Sequence, residues 1–196
     1  MTRALFLDRD GVINVDCGHV SRAEDFTFVD GIFDLVRTAN TRGYEVVVVT
    51  NQAGIAKGFY SEAQFVSLMQ WVSQQFIAQG ARIDAVYYCP CHPDHGVAPY
   101  RADSEGRKPR PGMFRRAAAE RGLLLAESVM VGDRVSDMQA GTAAGVGGLF
   151  LFNSPDAFPC AASISSLLTV QRHLEASGPG PSAGQASRAQ EFVCVL

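Results

Sequence analysis

Short apolar runs recur along the chain at residues 4–7 (ALFL), 46–49 (VVVV), 85–88 (AVYY), 129–131 (VMV) and 148–152 (GLFLF), each bounded by turn formers or polar residues. Being short and rich in β-branched and aromatic residues, they read as strands buried on both faces. Between them the apolar spacing becomes helical. Ile32, Leu35, Val36 and Ala39 share a face, with Asp30 as the expected N-cap and Gly43 as the stop. From Ser61 the stretch S-E-A-Q is a capping-box pattern, and Phe65, Leu68, Met69, Val72 and Phe76 stripe one side of the helix behind it. A third helix is expected from Pro111 to a stop at Gly122, and a fourth from about Val135 to Ala144 with Gly145 behind it.

Strands alternating with helices predict an α/β fold: a Rossmann-like parallel sheet sandwiched by helices, with functional residues beyond the carboxyl ends of the strands. Past residue 152 the pattern weakens, with a short helix expected near Ile164 to Leu174. Residues 1–175 then form a single domain. Residues 176–196 form a Gly/Pro/Ser/Ala-rich tail ending in the apolar EFVCVL, whose Phe192 to Leu196 are expected to dock on the domain or on a neighbouring chain.

Composition narrows the partners. The 196 residues are 47% hydrophobic and 19% charged, ordinary for one globular domain. Seventeen basic against twenty acidic residues leave a formal charge of −3, so no broad cationic surface exists for a nucleic acid or an anionic membrane. The first apolar run is too short for a signal peptide and no run is long enough for a membrane span, which makes a cytoplasmic protein the expectation, with a monomer as the simplest state. Five cysteines, unevenly spaced, argue for reduced thiols rather than a disulfide framework.

The strand ends carry the chemistry. The first ends in Asp8-Arg9-Asp10-Gly11, the second in Thr50-Asn51-Gln52, and the fourth in Gly132-Asp133 with Asp137 one helical turn on. Arg107-Lys108-Pro109 precedes the third long helix. Acidic groups converging in one crevice repel unless a cation sits among them, and oxygen ligands suit Mg²⁺, which would also offset the charge of a phosphate.

D-R-D-G, T-N-Q, R-K-P and G-D-R-V-S-D, in that order, resemble the four motifs of haloacid dehalogenase-type phosphatases. DRDGVINVDCGHV, TNQAGIAKG, RKPRPGM and VGDRVSDMQAG narrow the likeness to the D-glycero-D-manno-heptose 1,7-bisphosphate phosphatases, with the histidinol phosphatases as nearest relatives. The resemblance implies the haloacid dehalogenase-type fold, removal of the 7-phosphate of the heptose bisphosphate, a place in nucleotide-activated heptose biosynthesis for lipopolysaccharide, capsule or another glycan, and a small phosphorylated sugar as partner. It makes Asp8 the nucleophile, Asp10 the acid and base, and Thr50 and Lys108 the ligands of the transferring oxygens. Asp8, the backbone carbonyl of Asp10, and Asp133 would hold Mg²⁺, with Asp137 supporting the site through water or a lysine. Asp16, Cys17, Gly18, His19, Asn51, Gln52, Ala53, Arg107 and Arg134 would face the sugar and its distal phosphate, Arg107 through its planar fork of donors. The gaps from Asp10 to Thr50 and from Asn51 to Lys108 leave no room for a large cap domain. Histidinol phosphate hydrolysis, a polynucleotide 3′-phosphatase and a non-catalytic binding module that kept the fold are the competing readings.

One stretch departs from the pattern. In the resembling families a zinc loop follows the third strand. Cys89 and Cys91 match its first half, but Ser104 and Gly106 stand where the second pair of cysteines is expected. Cys89, Cys91, His92 and His95 count to four, yet closing them on one ion, with Pro90 and Pro93 stiffening the backbone, would strain the loop. A structural Zn²⁺ is therefore not the expectation, and the loop must be held by its own packing.

Overall fold

The structure is a computed structural model that describes residues 2–178 and 190–196. Its centre is a seven-stranded, all-parallel sheet formed by β1 (Ala4–Leu7), β2 (Glu45–Asn51), β3 (Ala85–Cys89), β4 (Val129–Gly132), β5 (Gly148–Phe152), β6 (Ala162–Ile164) and β7 (Glu191–Cys194). The spatial order is β6-β5-β4-β1-β2-β3-β7, so β1 lies in the middle with β2 and β4 on either side.

Alternate residues of each strand feed two cores. Leu5 and Leu7 of β1, and Val46 and Val48 of β2, face one core with α1 (Ile32–Thr41), α3 (Glu62–Ala78) and α6 (Leu168–Ala176). Ala4, Phe6, Val47 and Val49 face the other, with α4 (Gly112–Arg121) and α5 (Val135–Ala144). Phe6 and Phe114 meet there at 4.9 Å. This two-sided burial is why the strands read as unbroken apolar runs, and it stabilises each fully buried Val, Leu or Phe by about 1.5–3 kcal/mol. A sheet anchored on both faces can hold charged groups at its strand ends in fixed positions.

The capping box forms as read: Ser61 Oγ accepts from Gln64 N–H while Gln64 Oε1 accepts from Ser61 N–H. Helix α5 has the expected bounds, and α4 starts one residue after Pro111 and stops at Gly122. The expected N-cap of α1 is corrected. Gly31, not Asp30, occupies it in a left-handed conformation (φ 79°) with no side-chain cap, and the neighbouring carboxylate stands outside the helix. The short helix expected near 164–174 is α6, displaced to Leu168–Ala176 because residues 162–164 extend the sheet as β6. A four-residue helix, α2 (Ala53–Ala56), follows β2.

The linker-like part of the tail, residues 179–189, lies outside the described residues. Its apolar end docks on the domain as β7, paired in parallel with β3 from Ala85↔Glu191 to Tyr88↔Cys194. Arg121, almost fully buried, ties the strand in by donating to Glu45 at 2.6 Å and to Glu191 at 3.1 Å. Residues 90–111, between β3 and α4, contain no helix or strand, and among the described residues no cap domain interrupts the sheet. Among the described residues no helix is long and apolar enough to cross a membrane.

Candidate active site

Parallel strands run in register, so their carboxyl ends open on one edge, and there β1, β2 and β4 deliver Asp8, Thr50 and Asp133. Lys108 reaches the same point from the opposite side. Its ammonium lies 3.0 Å from Asp8 Oδ2 and 2.6 Å from Asp137 Oδ1, and donates to the Val49 carbonyl at 2.8 Å. Two ion pairs and one hydrogen bond let the side chain be 1% exposed without an uncompensated charge.

Asp8, Asp133 and Asp137 each place a carboxylate oxygen within 4.8 Å of the others. Two glycines make the approach possible. At Gly11, in left-handed backbone (φ 84°), a Cβ would fall 2.3 Å from Asp133 Oδ2, and at Gly132 it would fall 2.3 Å from the Asp137 Cβ. Burial, assisted by Asp137, Asp133 and Asp10 and opposed by Lys108, pushes Asp8 up to about 7. Burial and Asp137 push Asp133 up to about 6 against Arg134 and Lys108. Burial opposes the charge of Lys108, but Asp137 and Asp8 outweigh it and hold the lysine above its ordinary value. One lysine cannot balance three carboxylates, and Asp133 Oδ1 is buried without a hydrogen-bond partner. The donor set, all hard oxygens with one spare, fits a divalent cation such as Mg²⁺.

Asp10 is held differently. Its Oδ1 accepts from Arg9 Nε (3.1 Å), Arg9 Nη2 (2.5 Å) and Asn14 Nδ2 (3.2 Å), whereas Oδ2 accepts only from Gln52 Nε2 at 3.3 Å. The same Gln52 amide donates to Thr50 Oγ1 at 2.9 Å, which leaves the Thr50 hydroxyl proton free to donate elsewhere. Tyr60 fixes the amide by donating to Gln52 Oε1 at 2.5 Å, and burial pushes its phenol up to about 12, so it remains a donor.

A cavity of about 540 Å³ opens over these groups. Asp8, Asp10, Thr50 and Lys108 border it. So do Asp16, Gly18, His19, Asn51, Ala53, Arg107 and Arg134 from the expected sugar-facing set. Cys17 and Gln52 do not: Cys17 is exposed beside the cavity, and Gln52 lies behind Asp10 and Thr50. Arg134 pairs with Asp16 at 3.0 Å, and the His19 ring lies tilted against Phe59 at 4.7 Å. Sequence reading missed Lys57, Tyr60 and Ser136 as cavity residues, and placed His92 only with the zinc remnant. Lys57 stood in the G-I-A-K-G stretch and was legible there, while Tyr60 and Ser136 carried no signal.

Asn51, on the cavity, also holds the chain that carries Lys108. Its amide donates to the Lys108 carbonyl and accepts from the Lys108 N–H, both at 3.0 Å, clamping the backbone that carries the lysine. The zinc remnant does not assemble: among the described residues the only cluster of three or more potential metal ligands is the aspartate trio. Cys89 and Cys91 are fully buried in the core beside α4, while His92 and His95 stack on each other at 4.5 Å outside it.

Replacing Asn51 by Ala removes both bonds of the clamp and leaves the Lys108 amide without its partner. Asn51→Ala is expected to lower stability by about 1–3 kcal/mol in urea unfolding and to raise amide exchange at Lys108. An unchanged midpoint with unchanged exchange would show that the clamp does not hold this segment.

Residues 106–151 match the family model described as "HAD-hyrolase-like". The chain is 49% identical over 184 residues to a D-glycero-alpha-D-manno-heptose-1,7-bisphosphate 7-phosphatase of Burkholderia mallei, covering 93% of this chain and 97% of that one. It is 49% identical over 144 residues to a D-glycero-beta-D-manno-heptose-1,7-bisphosphate 7-phosphatase of Vibrio cholerae, covering 74% and 77%. Its fold is similar to the crystal structure of a D,D-heptose 1,7-bisphosphate phosphatase of B. bronchiseptica complexed with magnesium and phosphate, with a TM-score of 0.77, 27% identity, and 90% and 99% of the two chains covered. With the aspartates, the lysine and the open parallel sheet in place, identity of this extent means that the chain belongs to the heptose-1,7-bisphosphate 7-phosphatase family of haloacid dehalogenase-type hydrolases.

Proposed function

We propose that this chain is a Mg²⁺-dependent phosphomonoesterase that removes the 7-phosphate of D-glycero-D-manno-heptose 1,7-bisphosphate, on the way to a nucleotide-activated heptose. The observation that carries the chemistry is the position of Asp8: at the end of the central strand, on the cavity, with Oδ2 3.0 Å from Lys108 and Oδ1 accepting from Arg9 N–H at 2.7 Å. A carboxylate fixed at both oxygens meets phosphorus in one orientation. The names of the relatives support the substrate.

Asp8 attacks phosphorus and the bond from phosphorus to the sugar oxygen breaks, leaving an aspartyl phosphate. Asp10 gives its proton to the departing oxygen and later takes one from the water that cleaves the aspartyl phosphate, help typically worth about 10²–10⁴-fold. Oδ2 of Asp10, with its single long hydrogen bond, is the oxygen free to exchange that proton. Thr50 donates its free hydroxyl proton to a phosphoryl oxygen. Lys108 begins with its donors on Asp8, Asp137 and Val49. As Asp8 spends its charge on the new bond, the lysine shifts toward the phosphoryl oxygens. Asp8 and Asp133, with the Asp10 carbonyl, would hold Mg²⁺, which supplies positive charge against the incoming phosphate.

The other end of the substrate meets three cations and an imidazole. Lys57, His92, Arg107 and Arg134 border the cavity around the catalytic groups and suit the 1-phosphate. His92 is held below its usual value by burial and by Arg107, His95 and Lys57, so it contributes a hydrogen bond more readily than a charge. The relative whose likeness spans 93% of this chain bears the α-anomer in its name, and we adopt the α-anomer as substrate.

Phosphate release should be measured on both anomers of the heptose bisphosphate, on histidinol phosphate and on a 3′-phosphorylated oligonucleotide. The expected order places the α-anomer first and histidinol phosphate at least about 10²-fold lower in kcat/KM, with Asp8→Asn reducing turnover by about 10⁴-fold or more in a chain that remains folded by circular dichroism. Equal rates across the panel would sink the substrate, and substantial turnover by Asp8→Asn would sink the nucleophile.

The raised values of Asp8 and Asp133 also fix a pH dependence. Without a cation, the folded protein keeps protons on these carboxyls that the unfolded chain has released, so their burial penalises folding increasingly as pH rises from about 4 to about 7. Mg²⁺ lifts that penalty by binding the folded state alone. The rise in Tm on adding Mg²⁺ should therefore be larger at pH 8 than at pH 5, and a rise independent of pH would contradict this assignment.

A further inference from the structure

Arg107 and Lys108 approach the cavity from residues 90–111, a segment without a helix or strand of its own. A segment of that kind places a lysine accurately only if something outside it fixes the backbone. At its start, Cys91 is buried and its carbonyl accepts from Arg107 Nη1 at 3.1 Å. At its end, Asn51 clamps Lys108. The middle is fixed by Val195, from the far end of the described chain.

Val195 N–H donates to the Tyr88 carbonyl at 2.9 Å, continuing the pairing of β7 beyond Cys194. Its side chain is 6% exposed and packs in the same core as Cys89 and Cys91. Its carbonyl accepts from Ser104 Oγ at 3.3 Å, and the same hydroxyl accepts from Gly106 N–H at 2.9 Å. The fit at Gly106 is closed: a Cβ there would lie 2.4 Å from the Val195 carbonyl oxygen and 2.6 Å from its Cγ1. On the other side, Arg116 Nη1 donates to the Cys194 carbonyl at 3.0 Å and Cys194 Sγ donates to Glu62 at 3.2 Å. Val195 is thus wedged between the end of β3 and the Ser104–Gly106 turn, which leads directly into Arg107 and Lys108.

We propose that Val195 is a positioning residue for the reaction: by bracing the Ser104–Gly106 turn against the end of β3, it sets where Arg107 and Lys108 stand over Asp8. The proposal rests on the reading that Arg107 and Lys108 serve phosphate transfer. It assigns to residues 194–195 an effect on the site distinct from their share in the stability of the sheet. Phe192 provides the contrast. It lies on the same strand and packs half-buried against the core on the other face of the sheet.

The test compares Val195→Gly, Val195→Ile and Phe192→Ala in the full chain, at a temperature well below every Tm. The readouts are steady-state phosphate release from the heptose bisphosphate and amide exchange over residues 104–108. Val195→Gly is expected to lower kcat/KM about tenfold or more and to raise exchange at Gly106 and Lys108, whereas Val195→Ile restores both to within about twofold. Phe192→Ala is expected to lower Tm while leaving kcat/KM within about twofold. The proposal is overturned if Val195→Gly keeps its kcat/KM and its exchange protection, or if Phe192→Ala loses as much activity as Val195→Gly. Should the wild type release no phosphate from the bisphosphate, the functional reading fails instead, and the exchange measurement alone decides the brace: unchanged protection at 104–108 in Val195→Gly overturns it.

Discussion

The buried ammonium of Lys108 is the interaction on which the rest of the site depends. Three carboxylates with oxygens within 4.8 Å of one another are tolerable at the end of an apolar sheet only with positive charge among them. Lys108 supplies part of that charge, pairing with Asp8 and Asp137 while donating to the Val49 carbonyl. Removing one partner of such a buried pair typically costs about 3–5 kcal/mol, because the charge left behind has no water to turn to. Asp133, raised by burial and by Asp137, keeps an unpaired buried Oδ1, and that spare oxygen is what fits the site to a divalent cation.

Much of the other architecture serves to place that one nitrogen. The two cores flanking the sheet fix β1 and β4, and with them Asp8 and Asp133. Gly132 lets Asp137 lie against the end of β4, and Asn51 holds the Lys108 backbone from the end of β2. Asp10 sits in a separate network of Arg9, Asn14 and Gln52, with no bond to the lysine. The division suits a reaction in which one carboxylate must keep its charge and another must pass a proton back and forth.

The central strands and the aspartates were legible in the chain because two-sided burial writes unbroken apolar runs and because each run stops at its polar group. The edges were harder. β6 and β7 are short, β6 is largely exposed, and β7 follows a stretch of linker composition, so neither shows the pattern of a core strand. The clamp of Asn51 on the Lys108 backbone was not legible, because a strand-end amide gives no sign of which backbone it will meet across the fold. The position of Gln52 behind Asp10 was equally hidden, since it depends on Tyr60. The stretch CPCHPDH drew attention through its thiols and imidazoles, and its two cysteines lie buried in the core beside α4. Ser104 and Gly106, where a metal-binding loop would carry cysteines, hold Val195 instead, a long-range contact that local pattern does not reveal.

The central claim is that Asp8, oriented by Lys108 and by the Arg9 amide, carries the phosphoryl group during turnover. Borohydride converts an acid-quenched aspartyl phosphate to homoserine, which peptide mass spectrometry locates. Quenching the wild type during turnover of the heptose bisphosphate and reducing it in this way should give homoserine at position 8 and at no other aspartate. Homoserine at position 10, 133 or 137, or none at all while phosphate is being released, would contradict the account.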